Sequence, residues 1–251
     1  MLVLAMDLSS RQGSLAVLQD SQVLSERTWE LTRAHNQQFF QILREGLAQA
    51  QVDPASLGLL AVGLGPGSFS GIRMALTAAR ALALPGHQTV AGISSSKALA
   101  WPLLEQPDAG AVTVLGDARR GRLWAATYAR SESFLEQPDV FALMSPDEAS
   151  RRIPEGSVVV SPDWSRVKEC LSRRLSGHTR IIEEDAYPRA QTVGHLLLRR
   201  AVSGRSPELL TPIYLHPPVD KPPRAEGPNV APRAGKAGPA ADRWPVPSSA
   251  E

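Results

Sequence analysis

Leu2-Val3-Leu4-Ala5-Met6-Asp7 is an apolar run closed by an acid, and Val112-Thr113-Val114-Leu115-Gly116-Asp117 repeats that pattern in the second half of the chain. Each run has the length and continuous apolar character of a buried strand and is too short for a helix. A polar turn containing glycine follows each acid: Gly13 leads into a second apolar segment at 14–18, and Ala118-Arg119-Arg120-Gly121 leads into 122–129. An apolar strand, a turn and a second strand make a hairpin. Asp7 and Asp117 therefore head equivalent hairpins of an internal repeat.

The repeat extends outward from both hairpins. After the first, the sequence predicts a third strand (23–30), a helix (34–50), a strand (57–64), a helix (71–84), a strand (90–93) and a helix from Ser95. After the second it predicts a strand at 140–143, a helix opened by Ser145-Pro146-Asp147-Glu148, a strand at 157–160, and helices at 164–175 and 192–203. Ser145 as N-cap, Pro146 at the first helical position and acids in the first turn satisfy free N–H groups and complement the helix dipole. Three strands followed by alternating helices and strands, twice over, give an α/β protein of two ribonuclease-H-like lobes in tandem, the arrangement of actin-like ATPases. The lobes are expected at 1–105 and 106–215, the second smaller and degenerate. Residues 216–251 hold nine of the 21 prolines; a segment so poor in apolar side chains cannot offset its ordering entropy and is expected to be disordered.

Composition narrows the function. With 43% hydrophobic residues the 251-residue chain can bury a sizeable core, and a formal charge of +2 supplies no global field for nucleic acid. The single cysteine, Cys170, excludes an intrachain disulfide or a cysteine metal cluster and reads as a packed thiol. The apolar run 1–6 is too short for a signal sequence, and no apolar run approaches the roughly 20 residues of a membrane span, so the chain is expected to be cytoplasmic, without a membrane partner.

An acid ending the first strand is where an actin-like ATPase or sugar kinase places its magnesium–phosphate loop, which makes Asp7, Ser9, Ser10 and Asp117 the residues that would face a nucleotide. A nuclease of this fold needs several clustered carboxylates to hold two metals. Here the strand at 57–64 runs into Gly65-Pro66-Gly67 and carries no acid. An ATPase also needs glycine-rich turns in its second lobe. At the corresponding place stands Val158-Val159-Val160-Ser161-Pro162-Asp163, with proline and no glycine. A binding module on a catalytic fold fits better than either enzyme, with an actin-like-fold ATPase or small-molecule kinase as the alternative.

Gly63-Leu64-Gly65-Pro66-Gly67-Ser68-Phe69-Ser70-Gly71-Ile72-Arg73 joins a strand to a helix. The glycines either cradle an anion with free N–H groups or only make a tight turn, and Ser70 is the expected N-cap. Gly65 to Arg73 resembles the glycine-proline-glycine-serine-phenylalanine-threonine-glycine signature of the TsaB (YeaZ) family, with Ser70 in place of threonine. Asp7-Leu8-Ser9-Ser10 resembles that family's acid loop, Arg33-Ala34-His35-Asn36 its first helix start, Asp117-Ala118-Arg119 the opening of its second lobe, and Pro212-Ile213-Tyr214-Leu215 its terminal motif, with His216 for the usual arginine. The resemblance implies a non-catalytic subunit of the complex that makes threonylcarbamoyladenosine in tRNA. Such a subunit pairs with a catalytic TsaD-like paralogue and a TsaE-like ATPase, binds no cofactor tightly itself although the complex uses ATP, reaches tRNA through the complex, and forms a homodimer when alone. The histidine pair with which the catalytic paralogue holds its metal has no counterpart among histidines 35, 87, 178, 195 and 216.

Helix chemistry supplies an interface expectation. In 71–84 the polar side chains are Arg73, Thr77 and Arg80, at i, i+4 and i+7, a single narrow stripe. Ile72, Leu76, Ala79 and Ala83 are expected to face the sheet, leaving Met74, Ala78 and Ala81 outward. In the first helix Phe40, Leu43, Leu47 and Ala50 are expected inward, with Phe39, Ile42 and Gly46 on the outward face. Together the two outward faces would form a protein-binding patch.

Overall fold

The structure, a computed structural model, describes residues 1–31, 38–131, 134–136, 139–171, 175, 180–202 and 210–215. The first half runs β1 (Leu2–Asp7), β2 (Gln12–Gln19), β3 (Gln22–Glu30), α1 (Phe39–Ala50), β4 (Leu59–Gly63), α2 (Phe69–Ala83), β5 (Thr89–Ile93) and α3 (Ser95–Leu104). The second runs β6 (Ala111–Asp117), β7 (Leu123–Ala129), β8 (Ala142–Met144), α4 (Pro146–Arg152), β9 (Val158–Ser161), α5 (Trp164–Leu171), β10 (Arg180–Asp185) and α6 (Ala190–Val202).

The sheet orders are β3-β2-β1-β4-β5 and β10-β9-β6-β7-β8. In both sheets the first three strands are antiparallel and the last two join in parallel beside the first. The duplication is thus complete, strand for strand and helix for helix. Gly13 of β2 lies opposite Trp29 of β3 and Gly116 of β6 opposite Trp124 of β7, and at each glycine the partner's indole fills the space a Cβ would take.

Strand alternation sorts the core into layers. Leu4, Met6, Leu15, Val17, Leu60 and Val62 face α1 and α2, whereas Val3, Ala5, Ala16, Leu18, Leu59 and Ala61 face the other way. That second face is covered by α6, which belongs to the other half of the chain, while α3 lies on β6 and β7 of the second sheet. The two helices pack together, and one continuous core joins both sheets through them. The outer face of the second sheet, Leu115, Leu123, Ala125 and Val159, packs under Ala149 and Ile153 at α4 and Trp164, Val167 and Leu171 of α5. At Gly194 a Cβ would meet Leu18 Cδ1 at 2.7 Å, so α6 approaches the first sheet closely. Arg189, just before α6, holds Glu26 of β3 through Nε at 3.0 Å and Nη2 at 2.6 Å, and Ala190 N donates to Ser14 Oγ at 2.8 Å.

The sequence-based expectations differ from the structure in three places. β10 has no counterpart among them, because Arg180-Ile181-Ile182-Glu183-Glu184-Asp185 is an edge strand with little buried surface and therefore little apolar alternation. Ser68 rather than Ser70 caps α2, its Oγ accepting from Gly71 N at 3.3 Å. The third is the inner and outer faces of α1 and α2, taken up below. Arg33, His35 and the helix start at 34 lie outside the described residues, as do residues 172–174 of the helix expected at 164–175, residue 203 at the end of the one expected at 192–203, and the tail at 216–251.

Candidate functional site

Asp7 closes β1 in the interior and is fully buried. Its Oδ1 accepts from Ser9 N at 2.9 Å and Ser9 Oγ at 2.6 Å, while Oδ2 has no hydrogen-bond partner. Burial pushes its carboxyl above the ordinary range, an effect the polar contacts of Ser9 and Ser95 offset only in part. Asp117, at the equivalent place, accepts from Arg119 N at 2.7 Å on Oδ1, the same turn as Asp7 makes with Ser9. Its Oδ2 meets the Arg119 guanidinium at 3.0 Å and that of Arg166 at 3.8 Å. Ser10 folds back on its own loop, Oγ donating to Gln12 O at 2.8 Å. No hydrogen bond or ion pair among the described residues brings Asp7 and Asp117 together.

The glycine-rich loop seals the Asp7 loop. A Cβ at Gly63 would collide with Asp7 Oδ2, one at Gly67 with Ser9 O, and one at Gly71 with Leu8 O. Glycine is required at Gly65 for a second reason, its left-handed φ of 91°. Ser68 N donates to Ser9 O at 2.7 Å, and Gly65 is clamped to α3 by Ser95, whose N reaches Gly65 O at 2.7 Å and whose Oγ accepts from Gly65 N at 3.0 Å. Three of the loop's N–H groups, those of Gly65, Ser68 and Gly71, are thus taken by the protein's own backbone and hydroxyls. In the second lobe a side chain closes the loop instead, since Asp163, after β9, accepts from Asp117 N at 3.1 Å. Among the described residues no three His, Cys, Asp or Glu side chains converge to hold a metal.

The helix faces need correction. Phe39 and Gly46, expected outward, are buried, and Phe40, expected inward, is 61% exposed. The reason is Gly46, where a Cβ would lie 2.7 Å from Leu15 Cδ2 and whose carbonyl accepts from Ser25 Oγ at 2.8 Å; the helix presses onto β2 and β3 there. Ile42 is half-buried. On α2, Ile72, Leu76, Ala79 and Ala83 face the sheet as expected, but Ala78 is only 4% exposed, Met74 is half-buried, and Ala81 alone of the three remains on the surface. The core on this side widens to take in Ala78, with Met74, Leu82, Leu210 and Ile213 packed around it.

The polar stripe of α2 anchors residues 210–215. Arg80 Nη2 donates to Leu210 O at 3.4 Å, Arg73 Nε to Tyr214 Oη at 3.0 Å, and Ile213 N to Leu64 O at 2.9 Å. Phe69 (53% exposed), Arg73 and Tyr214 form an open cluster, with the guanidinium 3.9 Å from the centre of the Phe69 ring and the two rings 4.9 Å apart. Sequence reasoning reaches these residues only as parts of motifs; nothing in the spacing joins 69 to 214. It misses a second group altogether. Lys97 on α3 is fully buried with Nζ 3.8 Å from Asp139 Oδ2, and Asp139 Oδ1 accepts from Tyr128 Oη at 2.7 Å and Ser94 Oγ at 3.0 Å. A lone lysine inside the apolar helix 95–104 is the signal that could have found it.

Two ribonuclease-H-like lobes, an acid closing the first strand of each, and a last helix exchanged between them place the chain in the actin-like ATPase superfamily. The tRNA N6-adenosine threonylcarbamoyltransferase (TsaD) family matches residues 22–156. The chain is 28% identical over 169 residues (65% of this chain, 72% of the other) to the tRNA threonylcarbamoyladenosine biosynthesis protein TsaB of Escherichia coli. It is 25% identical over 225 residues (85% and 92%) to the protein of that name from Haemophilus influenzae. YeaZ from Pseudomonas aeruginosa superimposes with a TM-score of 0.69 at 21% identity, over 85% of this chain and 100% of that one. The chain belongs to the TsaD family, on its TsaB (YeaZ) branch.

Proposed function

We propose that the chain is the non-catalytic partner subunit in the synthesis of threonylcarbamoyladenosine in tRNA, pairing with a TsaD-like paralogue joined by a TsaE-like ATPase. The observation that carries this reading is the closed acid loop: Asp7 is fully buried, and its loop is covered by backbone contact from Gly63, Gly67 and Gly71 and by the bond from Ser68 N to Ser9 O. An acid buried in this way is not presented to a phosphate, which supports the reading that the chain binds no cofactor tightly and that ATP is used elsewhere in the complex. Its membership of the TsaD family and the names of its relatives supply the pathway.

The partner surface in this reading is the exposed stripe of α2 with its neighbours, Phe69, Arg73, Ala81 and Leu84, together with Phe40 of α1. Exposed aromatic and arginine side chains beside small apolar ones are the composition of binding hot spots. The same surface would join two copies when the partner is absent, and tRNA is reached through the complex. No described helix is long and apolar enough to cross a membrane; a cytoplasmic location follows from the proposed role.

The test mixes the purified chain with the purified TsaD-like paralogue of the same host. Ala81→Arg adds a charged chain that stays solvated in the free protein but is desolvated at an interface, so the melting temperature should hold while affinity falls by more than about tenfold. Undiminished binding would place the interface elsewhere. ATP turnover by the chain alone, abolished by Asp7→Asn, would overturn the proposal in favour of the ATPase alternative.

A further inference from the structure

A cavity of about 440 Å³ opens between α3, the end of β7, the short helical turn Phe134–Glu136 and α6. Its walls include Trp101, Leu104, Glu105, Arg130, Phe134 and Arg199. It is distinct from the acid loops of Asp7 and Asp117. β6 and β7 pair from Ala111 opposite Ala129 to Asp117 opposite Leu123, and Arg130 follows the Ala129 end. Six residues of strand separate the cavity from Asp117, roughly 20 Å.

The walls combine two chemistries. The floor is aromatic: Trp101 and Phe134 lie with ring centres 4.9 Å apart, and Phe134 is buried against Tyr128 at 5.9 Å. The mouth is cationic. The Arg199 guanidinium sits 4.7 Å from the centre of the Trp101 ring, and Arg130 Nη1 donates to Gln106 O at 3.3 Å. Neither arginine forms an ion pair among the described residues, so most of their planar N–H donors remain available. Among the described residues Glu105 is the single acid of the walls, against the two arginines. Small-molecule sites typically measure about 300–1,000 Å³ and are mainly apolar with a few convergent polar groups. Arginine offers paired donors to carboxylate or phosphate oxygens and stacks on planar rings.

We propose that this cavity is a binding site for a planar organic anion of mononucleotide size, its ring lying on Trp101, which Phe134 backs from the core, and its anionic group bridged by Arg130 and Arg199. The site does not depend on the acid loops or on the partner surface of α2.

Adenosine 5′-monophosphate is the probe, titrated calorimetrically into the full chain, with adenosine and inorganic phosphate as fragments. Saturable binding of the nucleotide, tighter than either fragment, is expected. Arg130→Ala and Arg199→Ala should each weaken it about 10- to 100-fold, because each removes charge-assisted hydrogen bonds. Both side chains are exposed, so melting temperatures should match the parent. Asp117→Asn, in the second acid loop, should leave affinity unchanged. The proposal is overturned if the nucleotide shows no saturable binding at millimolar concentration, if both arginine variants bind as the parent does, or if Asp117→Asn is the change that abolishes binding.

Discussion

Replacing Gly71 with alanine would set a methyl carbon against the Leu8 carbonyl, overlapping its oxygen and lying 3.0 Å from its carbon. Leu8 cannot yield easily, since its side chain is fully buried and Ser9 beyond it is held by Asp7. The first turn of α2 must therefore retreat by about 1 Å to restore ordinary contact. Overpacking of this kind costs about 1–3 kcal/mol. The retreat also strains the 2.7 Å bond from Ser68 N to Ser9 O, worth about 1 kcal/mol. Alanine returns about 1 kcal/mol through its better helix propensity. The net loss is about 1–3 kcal/mol, and at about 2–4 °C per kcal/mol for a chain of this size the midpoint falls by roughly 2–12 °C. Gly110→Ala is the control. Nothing lies within 4 Å of a Cβ there and its φ is ordinary, so it should be neutral or slightly stabilising. Thermal unfolding by circular dichroism reads both. A Gly71→Ala variant as stable as the parent would refute the claim that the glycine loop seals the acid loop by backbone contact.

Asp7 should make stability depend on pH. Its folded-state pKa lies above the ordinary 3.8, so between those two values the folded state holds the proton more tightly than the unfolded one and stability falls as pH rises. Asp7→Asn removes that dependence: the variant should melt above the parent at pH 7, with the advantage vanishing below about pH 4. A lower melting temperature at pH 7 would show that the ionised carboxylate is needed. Lys97→Met breaks a buried pair whose acid keeps the donors Tyr128 and Ser94, so it should cost about 1–3 kcal/mol, and adding Asp139→Asn should recover most of it, as chemical denaturation of the single and double variants would show.

The duplication was legible because it is written in strand length and strand-end acids, which do not depend on distant contacts. Leu2–Asp7 and Ala111–Asp117 announce themselves, and the capping box of Ser145 and Glu148 forms as its residues predict. The faces of α1 were not legible. Phe39 and Phe40 are adjacent and equally apolar, and the choice between them is made by Gly46 meeting Leu15, a contact across 31 residues of chain. Ala78 misled for a related reason: an alanine has no polarity to betray whether its helix face is covered, and the covering chain includes Leu210 and Ile213. The resemblance located the glycine loop; which atoms the glycines make room for, Leu8 O and Ser9 O, follows only from the folded geometry.

The exchange of α3 and α6 between the sheets sets an order of events for a chain emerging from the ribosome. When residue 105 has been made, the first sheet can form, but one of its faces, with Val3, Ala5, Leu18 and Ala61, has no cover. That cover is α6, which begins at Ala190, some 170 residues after the β2 strand it lies on. Until then an apolar sheet face stands open to water and to other chains, a state prone to aggregation that calls for a chaperone or rapid elongation. Closing so long a loop also slows folding relative to proteins whose contacts are local. A cut near residue 105 would accordingly yield two fragments, each missing the helix that shields its sheet, and their best route to solubility is to find each other again.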